Sequence, residues 1–426
     1  MSSSRFRLTF LSLFFLLILA VPVFWLVSGK QAGEYSIVEE RTLETFPQLT
    51  LPSFLVAMKA SLLGNFERAG EFFFNQFLQR EFQARFEQAA SDQFPWRMEA
   101  ISLVKALERA QIRAAYALLP DTVLPSDMSS GYYVMRDGSR LLAAPAVFNA
   151  EKKAVIDAGI QNYRQLVDTF PDLNISIFYI QRLEDSEYYP INGYLSEADG
   201  GRSIAYFAQQ LPPGINLQKM MLSSYQDYAD TSFKTDHHWN MVGACRGYEL
   251  VYEQLSKNYP DIPPARTCGD YTVIPGLQFL GSYARETLYP IAPEPFAVSL
   301  SPMPAYTVLL NGKEVQHTKM DKYLAGDFSR QPYVNHYARI YGSLSDPIEY
   351  DFPGNPPRNL LLIGSSYRAP IEPFIASHYR HTYIIDPRYD PDFSLREFLK
   401  THQVDDLLIL GHDSAVFGIG EWEIHP

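Results

Sequence analysis

Asn359-Leu-Leu-Leu-Ile-Gly-Ser-Ser-Tyr367 is the stretch on which the fold turns. Asn359 to Ile363 is a nearly continuous apolar strand that ends in Gly-Ser-Ser, and a helical pattern follows near 368–379. Thr382 to Ile385 is a second strand, 394–402 a second helix and Val404 to Leu410 a third strand. Continuous apolar strands alternating with helices predict a mostly parallel sheet, because crossover helices cover both faces. Upstream, Asn174 to Ile180 is a strand of β-branched and aromatic residues. Residues 151–170 and 203–211 read as helices. Trp239 to Asn258 reads as a longer helix, with Trp239, Val242, Tyr248, Val251 and Leu255 near one stripe. Gly131–Met135 and Arg140–Ala143 flank an Asp137-Gly138 hairpin signal. Residues 259–358 are rich in Pro, Gly and Tyr and read as short strands and loops. The expected fold class is a three-layer α/β/α arrangement, with no internal repeat.

Before the sheet, Phe66, Phe73, Phe77, Phe82 and Phe86 recur at helical spacing over 54–118. This predicts a core-facing stripe. The alternative, a membrane-surface helix, is opposed by Glu67, Glu71, Glu81 and Glu87, which anionic lipid would repel. Pro95 interrupts the pattern, and a second helix is expected from about Glu99 to Leu118. Further forward, Leu8 to Val27 is twenty residues without a charge. That is enough to span a hydrocarbon core of about 30 Å. Arg5 and Arg7 precede it, which predicts an uncleaved signal anchor with the N-terminus inside. A cleaved signal peptide is the rival reading, but its apolar region is shorter. The expected organisation is an N-terminus and anchor over 1–29, a linker over 30–53, a helical region over 54–125 and the main domain over 126–426. The expected location is a bacterial cell membrane, with one crossing and the bulk of the chain extracytoplasmic.

The chain has 426 residues and a formal net charge of −12. With Arg5 and Arg7 inside, the exported part carries 34 Lys and Arg against 48 acids, near −14. An acidic balance excludes a nucleic-acid binder, since a phosphate backbone rewards clustered cations. Two cysteines exclude a disulfide framework and a multi-cysteine metal site. Cys245 and Cys268 can pair outside the cell, or remain buried thiols.

Two short sequences carry chemistry. Gly364-Ser365-Ser366 leaves a buried strand for a helix, which puts Ser366 at the carboxyl edge of the sheet. The alternative is that Ser365 or Ser366 only caps the helix. Thr235-Asp236-His237-His238-Trp239 supplies a base and an orienting acid. In an extended segment Asp236 and His238 point the same way, so the carboxylate can hold one ring nitrogen and present the other to Ser366. His237 is expected to point away. A metal held by Asp236, His237 and His238 is not expected, because adjacent histidines do not readily face one ion. No cofactor is expected.

Thr-Asp-His-His-Trp matches the signature of the DHHW protein family, and the chain resembles that family at other points. These are Arg41-Thr-Leu43 with Pro47, Asp92-Gln-Phe-Pro-Trp-Arg97, Leu361-Leu-Ile-Gly-Ser-Ser-Tyr367 and Ile385-Asp-Pro-Arg-Tyr389. The family is similar to the SGNH-like proteins of alginate O-acetylation. The resemblance implies an SGNH hydrolase-like, flavodoxin-like fold with Asp236 as acid, His238 as base and Ser366 as nucleophile. Ser365 departs from the Gly-Asp-Ser form of the motif, whose Asp is not the triad acid. For the oxyanion, Gly281 and Asn335 are candidates, with turn or loop residues as the alternative. Arg388 is a candidate for the substrate edge, with a structural salt bridge as the alternative. The resemblance further implies O-acetyl transfer to, or ester hydrolysis on, an exported polysaccharide. The partner would be a multi-pass membrane-bound O-acyltransferase supplying the acyl group. The second reading is a non-catalytic, membrane-tethered glycan-binding or assembly subunit.

Overall fold

A computed structural model describes residues 33–45, 80–94, 96–117, 123–316, 318–342, 347–390 and 392–418. The apolar stretch Leu8–Val27 and Phe66, Phe73 and Phe77 lie outside them. Among the described residues no helix is long and apolar enough to cross a membrane. The chain divides into two compact units, 1–108 and 109–426.

In the first unit, Tyr35–Ser36 and Arg41–Thr42 pair antiparallel, and helix α1 spans Arg80–Asp92. Helix α2, Arg97–Ala115, begins here and continues across the division. The Arg41 and Asp92-to-Arg97 motifs meet in one ion cluster. Arg41 donates twice to Asp92, at 2.6 and 2.7 Å, and Arg97 reaches Glu39 at 2.7 Å. Asp92 also accepts from the Glu44 N–H at 2.8 Å. The Arg41 hydrogen bond, against the penalty of burial, holds the Asp92 carboxyl at about 2.

The second unit is built on an eight-stranded sheet. Its strands are β1 Asn174–Ile180, β2 Ile215–Met220, β3 Thr307–Leu310, β4 Lys313–Glu314, β5 Ile348–Asp351, β6 Asn359–Gly364, β7 His381–Ile385 and β8 Asp406–Gly411. Their order is β4-β3-β5-β7-β6-β8-β1-β2. The run from β7 to β2 is parallel throughout, and β5, β3 and β4 extend it by antiparallel pairing. Leu360 and Leu362 join Leu408 and Leu410 in one core, whereas Leu361 and Ile363 join Leu407 and Ile409 in another. The period of two sends alternate side chains to opposite faces, so a strand buried on both sides must be apolar throughout. That is why the reading of Asn359–Ile363 fixes the layers.

Helices α3 Ala150–Thr169 and α4 Arg202–Gln210 cover one face. Helix α6, Met241–Leu255, covers the other. The short helices are α5 Tyr225–Thr231, α7 Ser282–Thr287, α8 Met320–Leu324, α9 His336–Tyr341, α10 Glu372–Ala376, α11 Leu395–Thr401 and α12 Asp413–Phe417. A three-stranded antiparallel sheet holds Val123–Pro125, Tyr133–Met135 and Leu141–Leu142.

Two local expectations are corrected, two further elements are absent from the expected set, and the open question of the cysteines is answered. Trp239 precedes α6, because Asn240 caps that helix and its Oδ1 accepts from the Val242 and Gly243 N–H groups at 3.0 and 3.1 Å. The single helix expected near 368–379 is a 3₁₀ turn at Ser366–Arg368 followed by α10. Ala369 keeps helical dihedrals, but Pro370 has no N–H to carry the helical hydrogen-bond ladder onward, and this separates them. Strand β2 carries a legible alternation, with Ile215 and Leu217 packed on the core between Asn216 and Gln218, but is missing from the expected elements. Helix α5 is likewise missing from them. Cys245 and Cys268 form a disulfide.

Candidate active site

Ser366 stands where β6 gives way to the 3₁₀ turn. Ser365 does not cap that turn, since its hydroxyl is buried without a partner. Gly364 leaves room at the strand end, where an added Cβ would lie 2.9 Å from the Leu410 carbonyl of β8. Parallel strands β6, β7, β8 and β1 end together here, at the carboxyl edge where open α/β sheets bind ligands.

The segment from Ser232 to Trp239 brings the histidines to that edge. It is bent, not extended, and Ser232 bridges back to Trp239. Glu294 clamps it from behind, accepting from the Lys234 and Thr235 N–H groups at 2.7 and 3.1 Å. Arg140 donates to the Phe233 and Ala229 carbonyls at 2.5 and 2.8 Å. Trp239 is fully packed along α6. An added Cβ at Gly247 would come within 2.4 Å of the indole, and one at Gly243 within 2.2 Å of the Thr231 carbonyl, so the packing there requires glycine at both positions.

Within this bend, the Asp236 carboxylate takes the His238 backbone N–H at 3.0 Å and the His238 Nδ1 at 2.5 Å. The i to i+2 relation thus arises through an Asx turn instead of a strand. The other ring nitrogen, Nε2, lies 2.7 Å from the Ser366 hydroxyl. Asp236 and His238 are buried, and Ser366 is half-buried. The structure therefore brings together Asp236, His238 and Ser366, with Ser366 lying 128 residues beyond His238.

The second Asp236 oxygen accepts the Ser282 N–H at 2.7 Å. Burial alone would push this carboxyl up. The two histidines beside it and the hydrogen bonds from His238 and Ser282 outweigh burial and hold it well below the usual carboxylate range. Tyr337 stacks on His238 with centroids 3.9 Å apart, and its hydroxyl donates to the Ser366 carbonyl at 2.9 Å. Tyr367 donates to the His237 carbonyl.

Gly281 is not placed as an oxyanion donor. Its N–H is taken by the Thr235 hydroxyl at 2.9 Å, and it packs behind Asp236. The Asn335 carboxamide oxygen caps α9, accepting from the Ala338 N–H at 3.0 Å. Arg388 follows β7 at the same sheet edge but grips Asp386 with two hydrogen bonds, of 2.9 and 2.6 Å. His237 does not point away. Its ring lies 3.8 Å from that of His238, and its Nδ1 is 3.0 Å from the Ser282 hydroxyl and 3.6 Å from Asp236. The bend replaces the alternation that the extended reading assumed.

Donor atoms of Asp236, His237 and His238 consequently lie within 4.8 Å of one another. Each carboxylate oxygen and each Nδ1 is engaged in a hydrogen bond inside the cluster or with Ser282, so the set is committed to orienting His238. Sequence reasoning missed Tyr337, Glu294 and Arg140. None lies near the motifs in sequence, and only the three-dimensional packing identifies them.

The geometry defines a hydroxyl, an imidazole and a carboxylate in series, which is the arrangement of a nucleophile with its base and orienting acid. No protein-family model matches the chain, nor does any curated protein sequence. Among solved structures, Bacillus cereus PatB1 carrying a sulfonyl adduct is similar. It is 17% identical, with 68% of this chain and 96% of that one covered and a TM-score of 0.55. A DHHW family protein from Eubacterium siraeum is 18% identical, with 69% and 94% covered and a TM-score of 0.48. The O-acetyltransferase domain of Pseudomonas putida AlgJ is 12% identical, with 68% and 90% covered and a TM-score of 0.35. The likeness to PatB1 shows a shared mixed α/β fold. The DHHW resemblance read in the motifs recurs among these structures.

Proposed function

We propose that the chain is an acyl-ester enzyme of the SGNH-like kind, acting in O-acetylation of an exported polysaccharide. The observation that carries this reading is the hydrogen-bonded series from Asp236 through His238 to Ser366, with 2.5 and 2.7 Å links. Asp236 holds Nδ1–H in place and leaves Nε2 free to accept a proton. The Ser366 oxygen attacks the ester carbon while its proton passes to Nε2. The carbon–oxygen bond to the leaving alcohol then breaks, and Nε2 returns the proton to that alcohol. An acceptor hydroxyl next gives its proton to Nε2 and attacks the acyl-serine; the bond from the acyl carbon to the Ser366 oxygen breaks, and Nε2 passes the proton to that oxygen. A sugar hydroxyl as acceptor makes a transferase, and water makes an esterase.

The anchor read over Leu8–Val27 would hold this site outside the cytoplasmic membrane. There a multi-pass membrane-bound O-acyltransferase would supply the acyl group and the glycan would receive it. The test is hydrolysis of an aryl acetate by the full chain in detergent, with intact-mass detection of acetylated Ser366. Equal rates for wild type and Ser366→Ala would overturn it.

A further inference from the structure

A second feature lies on the antiparallel side of the sheet. A cavity of 390 Å³ opens among Tyr306, β4, the residues before α8, and the start of α10. Its volume is that of a small-ligand site. Tyr306 stands half exposed at its wall, 5.8 Å from the Tyr350 ring and 5.0 Å from that of Phe352, so the tyrosine face is held by the rings behind it. Glu314, Gln316 and Asp321 also line the cavity, and among the described residues no hydrogen bond engages their side chains.

The cavity is joined to the candidate active site by two routes. Ala369 and Pro370 line it and follow directly on the Ser366 turn, with the Ala369 N–H donating to the Ser366 carbonyl at 3.2 Å. Tyr341 also lines it, stacks edge-on with Tyr337 at 5.0 Å, and Tyr337 in turn covers His238 at 3.9 Å. The cavity is thus one ring removed from the ring that covers the base.

The chemistry of the lining selects a ligand. A fixed tyrosine face suits the C–H face of a sugar ring. Carboxylate and carboxamide oxygens accept hydrogen bonds from hydroxyl groups. Two carboxylates, with no cation among the described lining residues, disfavour an anionic ligand, because like charges brought together discriminate against it. We infer that this cavity is an acceptor subsite for a neutral oligosaccharide and that it excludes uronate polymers. This inference rests on the proposed acyl-transfer reading for its role, though not for its binding chemistry.

Titration calorimetry on the full chain in detergent tests it, with cellohexaose, mannohexaose and N-acetylchitohexaose as neutral probes and hexagalacturonate as the anionic one. At least one neutral hexasaccharide binds, and Tyr306→Ala weakens it by about tenfold or more, equivalent to about 1.4 kcal/mol. Tyr306→Phe, which keeps the ring, restores binding. Hexagalacturonate binds at least about tenfold more weakly, and Glu314→Gln with Asp321→Asn narrows that gap. Near-ultraviolet circular dichroism checks that each variant is folded. Binding of no neutral probe, or binding unaffected by Tyr306→Ala, overturns the subsite. Equal binding of the uronate overturns its selectivity. Acylation of Ser366 is measured on the same preparations. Wild-type protein that acylates but binds no neutral probe tells against the subsite, and wild-type protein that binds without acylation tells against the acyl-serine reading.

Discussion

Replacing Gly281 by alanine is the sharpest test of how the acid is held. The Gly281 backbone is ordinary, with φ at −78°, so strain does not come from its dihedrals. It comes from space. An added Cβ would lie 2.2 Å from the Asp236 Cβ and 2.4 Å from its Oδ2. An ordinary van der Waals contact begins at 3.4 Å, so one of the two segments must retreat by about 1.2 Å. The retreat separates Asp236 from the Ser282 N–H, now 2.7 Å away, and turns the carboxylate relative to His238. A displacement of about 1 Å in a supporting residue costs on the order of a hundredfold in rate. Gly281→Ala should therefore lower kcat/KM for an aryl acetate by about a hundredfold, or about 2.7 kcal/mol. It should also cost about 1–3 kcal/mol of stability through overpacking. The assay is steady-state aryl acetate hydrolysis, with urea unfolding as a control. A folded Gly281→Ala protein turning over within about threefold of wild type would refute the claim that Gly281 backs a catalytic Asp236.

Three further outcomes follow from other residues. Ser365→Ala removes a buried hydroxyl with no partner, so unfolding stability should stay within about 1 kcal/mol of wild type or rise, and aryl acetate turnover should persist; loss of turnover would move the nucleophile away from Ser366. Burial raises the Asp406 carboxyl to about 6, above its unfolded value. The folded state therefore binds the extra proton, and stability falls as pH rises from about 4 to about 6. Asp406→Asn should flatten that fall by about 2–3 kcal/mol in urea unfolding at pH 4 and 7, and an unchanged slope would contradict it. Reducing the Cys245–Cys268 bond, which closes a separation of 23 residues, should lower unfolding stability by about 3 kcal/mol by the chain-entropy relation. Guanidinium midpoints with and without reductant check this.

Much of the sheet was legible because its central strands are buried on both faces and so had to be apolar along their whole length. Leu360 to Ile363 and Leu407 to Leu410 announce themselves. Strand β2 was harder, since Asn216 and Lys219 are exposed and only Met220 is fully buried, so its apolar run is broken by polar residues. At the site, Asp236, His238 and Ser366 were legible from residue type and motif, while the shape of the segment joining them was not. An Asx turn replaces the expected strand there, and it carries His237 to the same side as His238. Tyr337, Glu294 and Gly281 escaped or were misassigned because their roles depend on contacts made across the fold. A glycine needed for clearance and a glycine offering an N–H look alike in sequence.

The strand order has a consequence for when the site comes into being. β8 lies between β6 and β1, although it is the last strand of the sheet to be made. Asp236 and His238 thus wait through 128 residues of synthesis before Ser366 exists, roughly 6–26 s at 5–20 residues per second. Even then β6 reaches β1 only when β8 arrives to fill the gap between them. A nascent chain lacking β8 would hold every member of the series without the strand that joins β6 to β1. On the proposed acyl-ester reading, activity should thus appear only at the end of folding.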